Sequence, residues 1–195
     1  MKSANAYTEQ QIEKLGNSLV YLANNVGEFN KTKALKLLFL LEENSIKKFG
    51  VPFFGFDFKV WKFGPVVPLV YNDFQKELKI LGKYIKKVDP NIDEYEAVSE
   101  FCDDEFSDND ICLLQDVVQF SKHKTAKNLV DYTHKKGSLW HFSVFGNKLQ
   151  EKFKTGLTTT DFSIKFSTLV ESNPYLKERY QSSIEYIEFN KSLKS

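Results

Sequence analysis

The sequence predicts a mainly α-helical fold with a small β element (an α+β fold), and three observations support this. Apolar residues recur at intervals of three and four along most of the 195-residue chain, which is the period of an amphipathic helix. Short polar motifs of the kind that cap helix N-termini precede these apolar segments. One segment, residues 54–60, alternates apolar residues with small or polar ones and predicts a strand.

The N-terminal part predicts two helices with clear start signals. The motif Thr8-x-x-Gln11 forms a capping box in front of the first apolar stripe. Asn30 is placed to cap the second helix. Residues 35–46 are apolar around most of the girth of that second helix, which predicts a central position with neighbours on several sides.

The middle of the chain predicts the β element and a third helix. Residues 54–60 form the predicted strand, and Gly64-Pro65 breaks the chain after it. Pro65 and Pro68 fit the turn and the first turn of a helix, where the missing N–H group costs little. Residues 83–88 suggest a short second strand that pairs with the first.

The C-terminal half predicts four more helices. Ser107 and Thr125 are placed to cap two of them. Residues 162–170 carry apolar side chains that predict a third, and Pro174 opens the last. The last helix carries an apolar stripe at spacings of four and three, formed by Leu176, Tyr180, Ile184 and Ile187. The fold is therefore expected to be a compact helical domain with a C-terminal helical extension.

Composition and charge argue against several classes of protein. The formal net charge of +1 shows no strong basic excess of the kind that nucleic-acid-binding proteins carry, so the composition does not favour nucleic acid as a partner. No stretch approaches the ~18 apolar residues of a membrane span, and the N-terminus lacks an apolar signal region. Cys102 and Cys112 fit two free thiols. We expect a soluble cytoplasmic protein without a membrane partner.

No pattern of catalytic residues stands out in the sequence. The nucleophile-elbow, phosphate-loop and zinc-protease motifs are all missing. His134 and His141 lie seven residues apart, which is too far for a metal pair on one helical face. The segment Cys102-Asp103-Asp104-Glu105 lacks the alternating oxygens and glycine of a calcium loop. We therefore expect a non-enzyme with no catalytic residues, no cofactor and no metal.

Residues 108–136 resemble a helix-turn-helix unit and keep a second function open. In a DNA-binding regulator the second helix would offer polar residues to bases and phosphates, namely Thr125, Lys127, Asn128, Lys135 and Lys136. Asp131 on the same helix would repel phosphate, and short helical pairs are also common without DNA.

Two groups of motifs occur in the order found in one known family. The first group is Lys36-Leu37-Leu38-Phe39-Leu40, Phe49-Gly50-Val51-Pro52 and Val60-Trp61-Lys62-Phe63-Gly64-Pro65-Val66-Val67-Pro68-Leu69-Val70-Tyr71. The second is Val117-Val118, Leu129, Thr133-His134 and Gly137-Ser138-Leu139-Trp140. Together they resemble the Panacea domain, also called the SocA-like antitoxin domain. The resemblance covers residues 8–145 and leaves residues 146–195 as a C-terminal helical extension, either packed on the same core or free to meet a partner.

The resemblance implies an antitoxin that neutralises a cognate protein toxin by direct binding. It also implies a possible second partner, a cytoplasmic protease to which such a protein delivers its toxin. The motif residues that the resemblance singles out serve either as core anchors or as partner contacts. They are Trp61, Phe63, Gly64, Pro65, Tyr71, Thr133, His134 and Trp140.

Overall fold

The computed structural model describes residues 7–192, which form eight α-helices and two small antiparallel sheets. These described residues are 55% helical and 7% strand, which confirms the predicted fold class. None of the described helices is long and apolar enough to cross a membrane. The elements in chain order are α1 Glu9–Asn25, α2 Lys31–Phe49, β1 Lys59–Trp61, β2 Gly64–Val66, α3 Pro68–Gln75, β3 Ile85–Lys87, β4 Tyr95–Ala97, α4 Asp108–Ser121, α5 Ala126–His134, α6 Leu139–Gly146, α7 Gln150–Lys154 and α8 Pro174–Ser192, with a 3₁₀ helix at Phe166–Leu169 before α8.

The capping residues predicted from the sequence begin the helices as expected. Thr8 and Gln11 exchange hydrogen bonds in a complete capping box at the start of α1. The Asn30 side chain accepts from the backbone N–H of Lys33 at the start of α2. Ser107 and Thr125 cap α4 and α5 in the same way. These local signals fix where the helices begin because each satisfies N–H groups that a first turn leaves unpaired.

Helix α2 is the centre of the molecule, as its all-round apolar pattern predicts. It packs against α1, α3, α4, α5 and α8, and against β2 and the 3₁₀ helix. Leu37, Leu38 and Leu41 are almost completely excluded from solvent. Full burial of a leucine stabilises a fold by about 1.5–3 kcal/mol, so this helix supplies a large part of the driving force for folding.

The first sheet is shorter than the sequence predicts. Phe54, Phe56 and Phe58 are buried as expected, but only Lys59–Trp61 forms strand β1. Gly55 has φ of +69°, a left-handed conformation that turns the backbone and interrupts the strand geometry. Strand β1 pairs antiparallel with β2 so that Trp61 faces Gly64 and Val60 faces Pro65. Pro65 thus lies in a strand and not in the turn, which corrects the prediction.

The predicted pairing of residues 83–88 with the first strand is wrong. Strand β3 pairs with β4 instead, with Ile85 opposite Ala97. Residues 88–94 close this pair locally, and a short closure has the lower entropic cost. The outer edge of β1 is occupied by a later part of the chain.

That later part is residues 158–164, which run beside β1. The N–H of Val60 donates to the carbonyl of Phe162 at 2.8 Å, and the N–H of Ile164 donates to the carbonyl of Phe58 at 2.8 Å. The helix predicted over residues 162–170 is therefore wrong, and only the short 3₁₀ turn forms there. Several side chains beyond residue 146 lie in the same apolar core as α2, namely Leu149, Phe153, Ile164, Phe166 and Val170.

Helix α8 lies against the outside of this body. The predicted stripe of Leu176, Tyr180, Ile184 and Ile187 is half-buried, and no residue of α8 is fully buried. Two glycines allow the approach, since a Cβ on Gly50 would come within 2.5 Å of the Leu176 carbonyl oxygen and a Cβ on Gly55 within 2.6 Å of Ile187.

Two truncations should separate the contributions of the C-terminal segments to the fold. Removal of residues 174–195 takes away a helix with only half-buried contacts, so we expect a lower melting temperature but cooperative unfolding. Removal of residues 157–195 also deletes the partner of β1 and three buried core side chains, Ile164, Phe166 and Val170. We expect that shorter protein not to fold. If circular dichroism melting gave the same unfolding behaviour for both truncated proteins, residues 157–173 would not be the part of the C-terminal segment that the fold requires.

Candidate functional site

The structure brings most of the sequence-predicted motif residues together around the turn between β1 and β2. Trp61, Gly64 and Pro65 belong to the hairpin, and Phe63 stands at its turn. Tyr71 reaches it from α3, His134 from the end of α5 and Trp140 from α6. The predicted residue Thr133 is buried elsewhere, where it donates to the Val130 carbonyl and lines a cleft of about 450 Å³.

The two tryptophans tie the hairpin to distant parts of the chain. The indole N–H of Trp140 donates to the Trp61 carbonyl at 2.8 Å. The indole N–H of Trp61 donates to the Thr160 carbonyl at 3.2 Å, and its ring packs edge-on against Tyr71 with 4.9 Å between centroids. Buried tryptophans combine a large apolar area with one donor that needs a partner. Both rings are half-buried, and their indole N–H groups join β1 to residues 140 and 160.

His134 is held as a neutral ring beside the hairpin. It stacks on Trp140 with centroids 3.8 Å apart and planes 8° from parallel. Its Nε2 atom is buried and, among residues 7–192, makes no hydrogen bond of regular geometry, although the Phe63 carbonyl lies close enough to act on the ring and partly opposes the fall in its pKa. Burial, with the nearby Lys36 ammonium adding to it, lowers the pKa of His134 to about 4. Two protonated groups so close together would repel each other, which favours a neutral imidazole.

Lys36 is central to this site, although it is not among the motif residues singled out from the sequence. It lies on α2, is 2% exposed, and its Nζ donates to the Phe63 carbonyl oxygen at 2.6 Å. Burial lowers the pKa of this lysine to about 7. The signal was present in the sequence, since Lys36 is a charge inside the otherwise apolar run from Ala34 to Leu41. A charged residue within an all-round apolar helix has to be buried or to interrupt the packing.

Gly64 makes room for both of these nitrogen atoms. Its φ is +111°, in the region that favours glycine. A Cβ at this position would collide with Lys36 Nζ and come within 2.9 Å of His134 Nε2. Glycine is therefore required here by the backbone conformation and by the close approach of the two side chains.

The turn itself presents Phe63 to solvent. The Phe63 side chain is 65% exposed, while its carbonyl points inward to Lys36. The N–H of Lys62 donates to the Thr158 carbonyl at 2.9 Å, so both residues of the turn have fixed backbones. Since the Lys36 amine is sealed beneath this turn, the group that the site offers to another molecule is the aromatic ring. The arrangement is suited to binding an apolar group of a partner.

A second buried ionisable group, Glu42, lies further along α2. Its carboxylate accepts from the N–H groups of Phe54 at 2.7 Å and Gly55 at 3.2 Å. Burial raises the pKa of Glu42 to about 7 despite these hydrogen bonds. Tyr180 of α8 lies close enough for burial and Glu42 to raise its pKa to about 12. Glu42 therefore holds the loop at Phe54 and Gly55 and lies near α8, and it does not contact the turn at Phe63.

The residues proposed for DNA reading are partly committed to the helix itself. Thr125 and Asn128 exchange hydrogen bonds with each other's backbone N–H groups in the capping box of α5. Lys135 lies over the Tyr132 ring with its Nζ 3.9 Å from the centroid. Lys127 and Lys136 are exposed. The lysines are free to meet phosphates, while the two polar side chains best suited to bases already have partners.

Within residues 7–192, histidine, cysteine, aspartate and glutamate side chains do not gather in any group of three able to hold a metal. Cys102 and Cys112 are exposed free thiols.

The fold and the turn define a small, mainly α domain built around the central helix α2, with a β-hairpin held against it. The family model described as "Antitoxin SocA-like, Panacea domain" matches residues 35–141, and the chain belongs to this family. Neither the curated proteins nor the solved structures provide a match. The matched region begins one residue before Lys36 and ends one residue after Trp140. It therefore includes the hairpin and the residues of α2, α3, α5 and α6 that contact it, but not residues 158–164, which pair with β1.

Three glycine-to-alanine variants should separate the two demands made on Gly64. Gly64→Ala meets both a positive φ and a collision, and we expect a loss of about 2–3 kcal/mol in the free energy of unfolding. Gly137→Ala has φ of +87° with open space, and should lose about 1 kcal/mol. Gly146→Ala meets neither demand and should be neutral or slightly stabilising. Denaturant titrations would contradict this account if Gly64→Ala were no worse than Gly137→Ala.

The pH dependence of stability should report the buried Lys36. The unfolded chain keeps this proton up to a pKa of 10.5, while the folded chain releases it near 7. The unfolded state therefore binds more protons between these values, and stability from this group rises with pH from about 7 and is lost as pH falls. The slope is at most about 1.4 kcal/mol per pH unit. Urea titrations at pH 7, 8 and 9 should show this rise in the native protein and a smaller one in Lys36→Met. Parallel curves would contradict it.

Proposed function

We propose that this protein neutralises a protein toxin by binding it directly, and that the β1–β2 turn forms part of the contact surface. Membership of the antitoxin family supports the class of function. The observation that supports the surface is that one turn is held by several buried or half-buried residues while its phenylalanine is 65% exposed. The supporting residues are Lys36, Gly64, His134 and Trp140.

An exposed aromatic ring on a rigid turn has the properties of a binding anchor. Turns usually carry small or polar residues, whereas this one carries Phe63. A ring presented by a fixed backbone loses little conformational freedom on binding. Its burial against a partner can contribute about 1.5–3 kcal/mol, which is the size of a typical hot-spot contribution.

Binding accounts for the buried groups better than catalysis does. Lys36 has a pKa suited to acid–base work, but its amine is enclosed and already donates to the Phe63 carbonyl. His134 is stacked and neutral. We therefore propose a non-enzymatic role. The exposed thiols of Cys102 and Cys112 agree with a reducing compartment, and we place the complex in the cytoplasm.

Phe63→Ala should weaken neutralisation without weakening the fold. The test pairs the protein with the product of the adjacent gene, co-expressed in a growth assay and measured by calorimetry. Loss of an anchoring ring should reduce affinity at least about tenfold, equivalent to about 1.4 kcal/mol. The melting temperature should stay within a degree or two, since the side chain is mostly in solvent.

Phe189→Ala provides the matched control. Phe189 is the same residue type, is 60% exposed and lies on α8. Helix α8 contacts Gly50 at the C-terminal end of α2, whereas Lys36 lies near the N-terminal end of α2. It should neutralise like the native protein. Loss of neutralisation in Phe189→Ala but not in Phe63→Ala would show that the contact surface lies on α8 and not on the turn. A neighbouring gene product that neither arrests growth nor binds would contradict the antitoxin proposal.

A further inference from the structure

The burial of Lys36 needs a reason beyond packing. Removing an ammonium group from water costs several kcal/mol unless it is paired with a charge, and a methionine would fill similar space at no such cost. Within residues 7–192 the hydrogen bond that Lys36 Nζ makes is the one to the Phe63 carbonyl oxygen, at 2.6 Å. The fold therefore tolerates a destabilising buried charge at the underside of the proposed contact turn.

We propose that Lys36 is a positioning residue for partner binding, which holds the Phe63 carbonyl inward so that the Phe63 ring is presented outward. The inference rests on the proposed function of the turn. It assigns a binding role to a residue on the central helix that no partner can touch directly.

The geometry of the turn explains how one hydrogen bond can control the ring. The Phe63 carbonyl leads directly into Gly64, whose φ of +111° lets this peptide face the core. A charge-assisted hydrogen bond is about twice as strong as a neutral one, so it favours this peptide orientation over its flipped alternatives. With the peptide fixed on one side, the Phe63 side chain is directed to solvent.

The surroundings of Lys36 leave the carbonyl as its natural acceptor. From α5, the neutral His134 faces the same space beside Gly64, and both the Phe63 carbonyl and Asp131 act on that ring. On α2 itself, Glu42 is engaged by the Phe54 and Gly55 N–H groups, and Glu43 pairs with Lys47 at 3.0 Å. Neither carboxylate competes with the Phe63 carbonyl for the Lys36 ammonium.

A second buried lysine on the same helix provides a matched control. Lys33 is also 2% exposed, and its Nζ also donates to a backbone carbonyl, that of Gly27. Burial lowers the pKa of Lys33 as well. The two lysines share residue type, helix and kind of acceptor. Glu28 acts on Lys33 and partly opposes the fall in its pKa, and only Lys36 donates to the contact turn.

The test is a double-mutant cycle on affinity for the product of the adjacent gene. Lys36→Met should bind about 5- to 20-fold more weakly than the native protein while remaining folded by circular dichroism. Lys33→Met should change the melting temperature without changing affinity. In the Phe63→Ala background, Lys36→Met should weaken binding by less than about twofold, because the ring it positions is gone. A purely structural role for Lys36 would give an equal loss in both backgrounds or none in either.

The pH profile of binding gives an independent readout. As pH rises from 7 to 9, Lys36 loses its proton and its hydrogen bond to the Phe63 carbonyl weakens. Affinity of the native protein should therefore fall severalfold over this range, by more than that of Lys36→Met. Identical pH profiles, or native affinity in Lys36→Met, would overturn the inference. If instead Phe63→Ala itself binds with native affinity, the proposal that the β1–β2 turn is part of the contact surface is wrong.

Discussion

The need to cover α2 on every side determines the rest of this structure. Apolar side chains surround most of this helix, so several other elements have to place an apolar face against it. Helices from both ends of the chain, the hairpin strand β2 and the 3₁₀ helix Phe166–Leu169 all do so. A single buried helix thereby brings together segments more than a hundred residues apart, including the hairpin and the residues that support it.

The polar residues of α2 act as a template for the loops that pass over it. Lys36 binds the Phe63 carbonyl, Glu42 binds the N–H groups of Phe54 and Gly55, and the Ser45 hydroxyl donates to the Val51 carbonyl at 2.7 Å. Buried polar groups are costly when unpaired, so each of these hydrogen bonds favours the loop conformation that supplies its partner. The irregular residues 51–58 and the turn between β1 and β2 are thus held by a helix.

The success of sequence reasoning here follows the range of the interactions involved. Helix starts at Thr8, Asn30 and Ser107 depend on residues within one turn, and they were predicted correctly. The motif residues around the hairpin can be singled out from the sequence, but their packing against one another cannot, because their contacts join α2, α5 and α6. The pairing of residues 158–164 with β1 left no local signal, since an extended edge strand needs only backbone groups. Lys36 was visible as a charge in an apolar run, and only its partner carbonyl shows its role.

The hairpin is supported from two sides that differ in their relation to the family. From inside, Lys36 and His134 belong to the matched residues 35–141. From outside, Thr158 and Thr160 hold the Lys62 N–H and the Trp61 indole, and both threonines lie beyond the match. A change in the C-terminal segment can therefore alter the turn through its backbone and the Trp61 ring without contacting a partner. Because the two supports meet at adjacent residues, Lys62 and Phe63, the conformation of the turn depends on both.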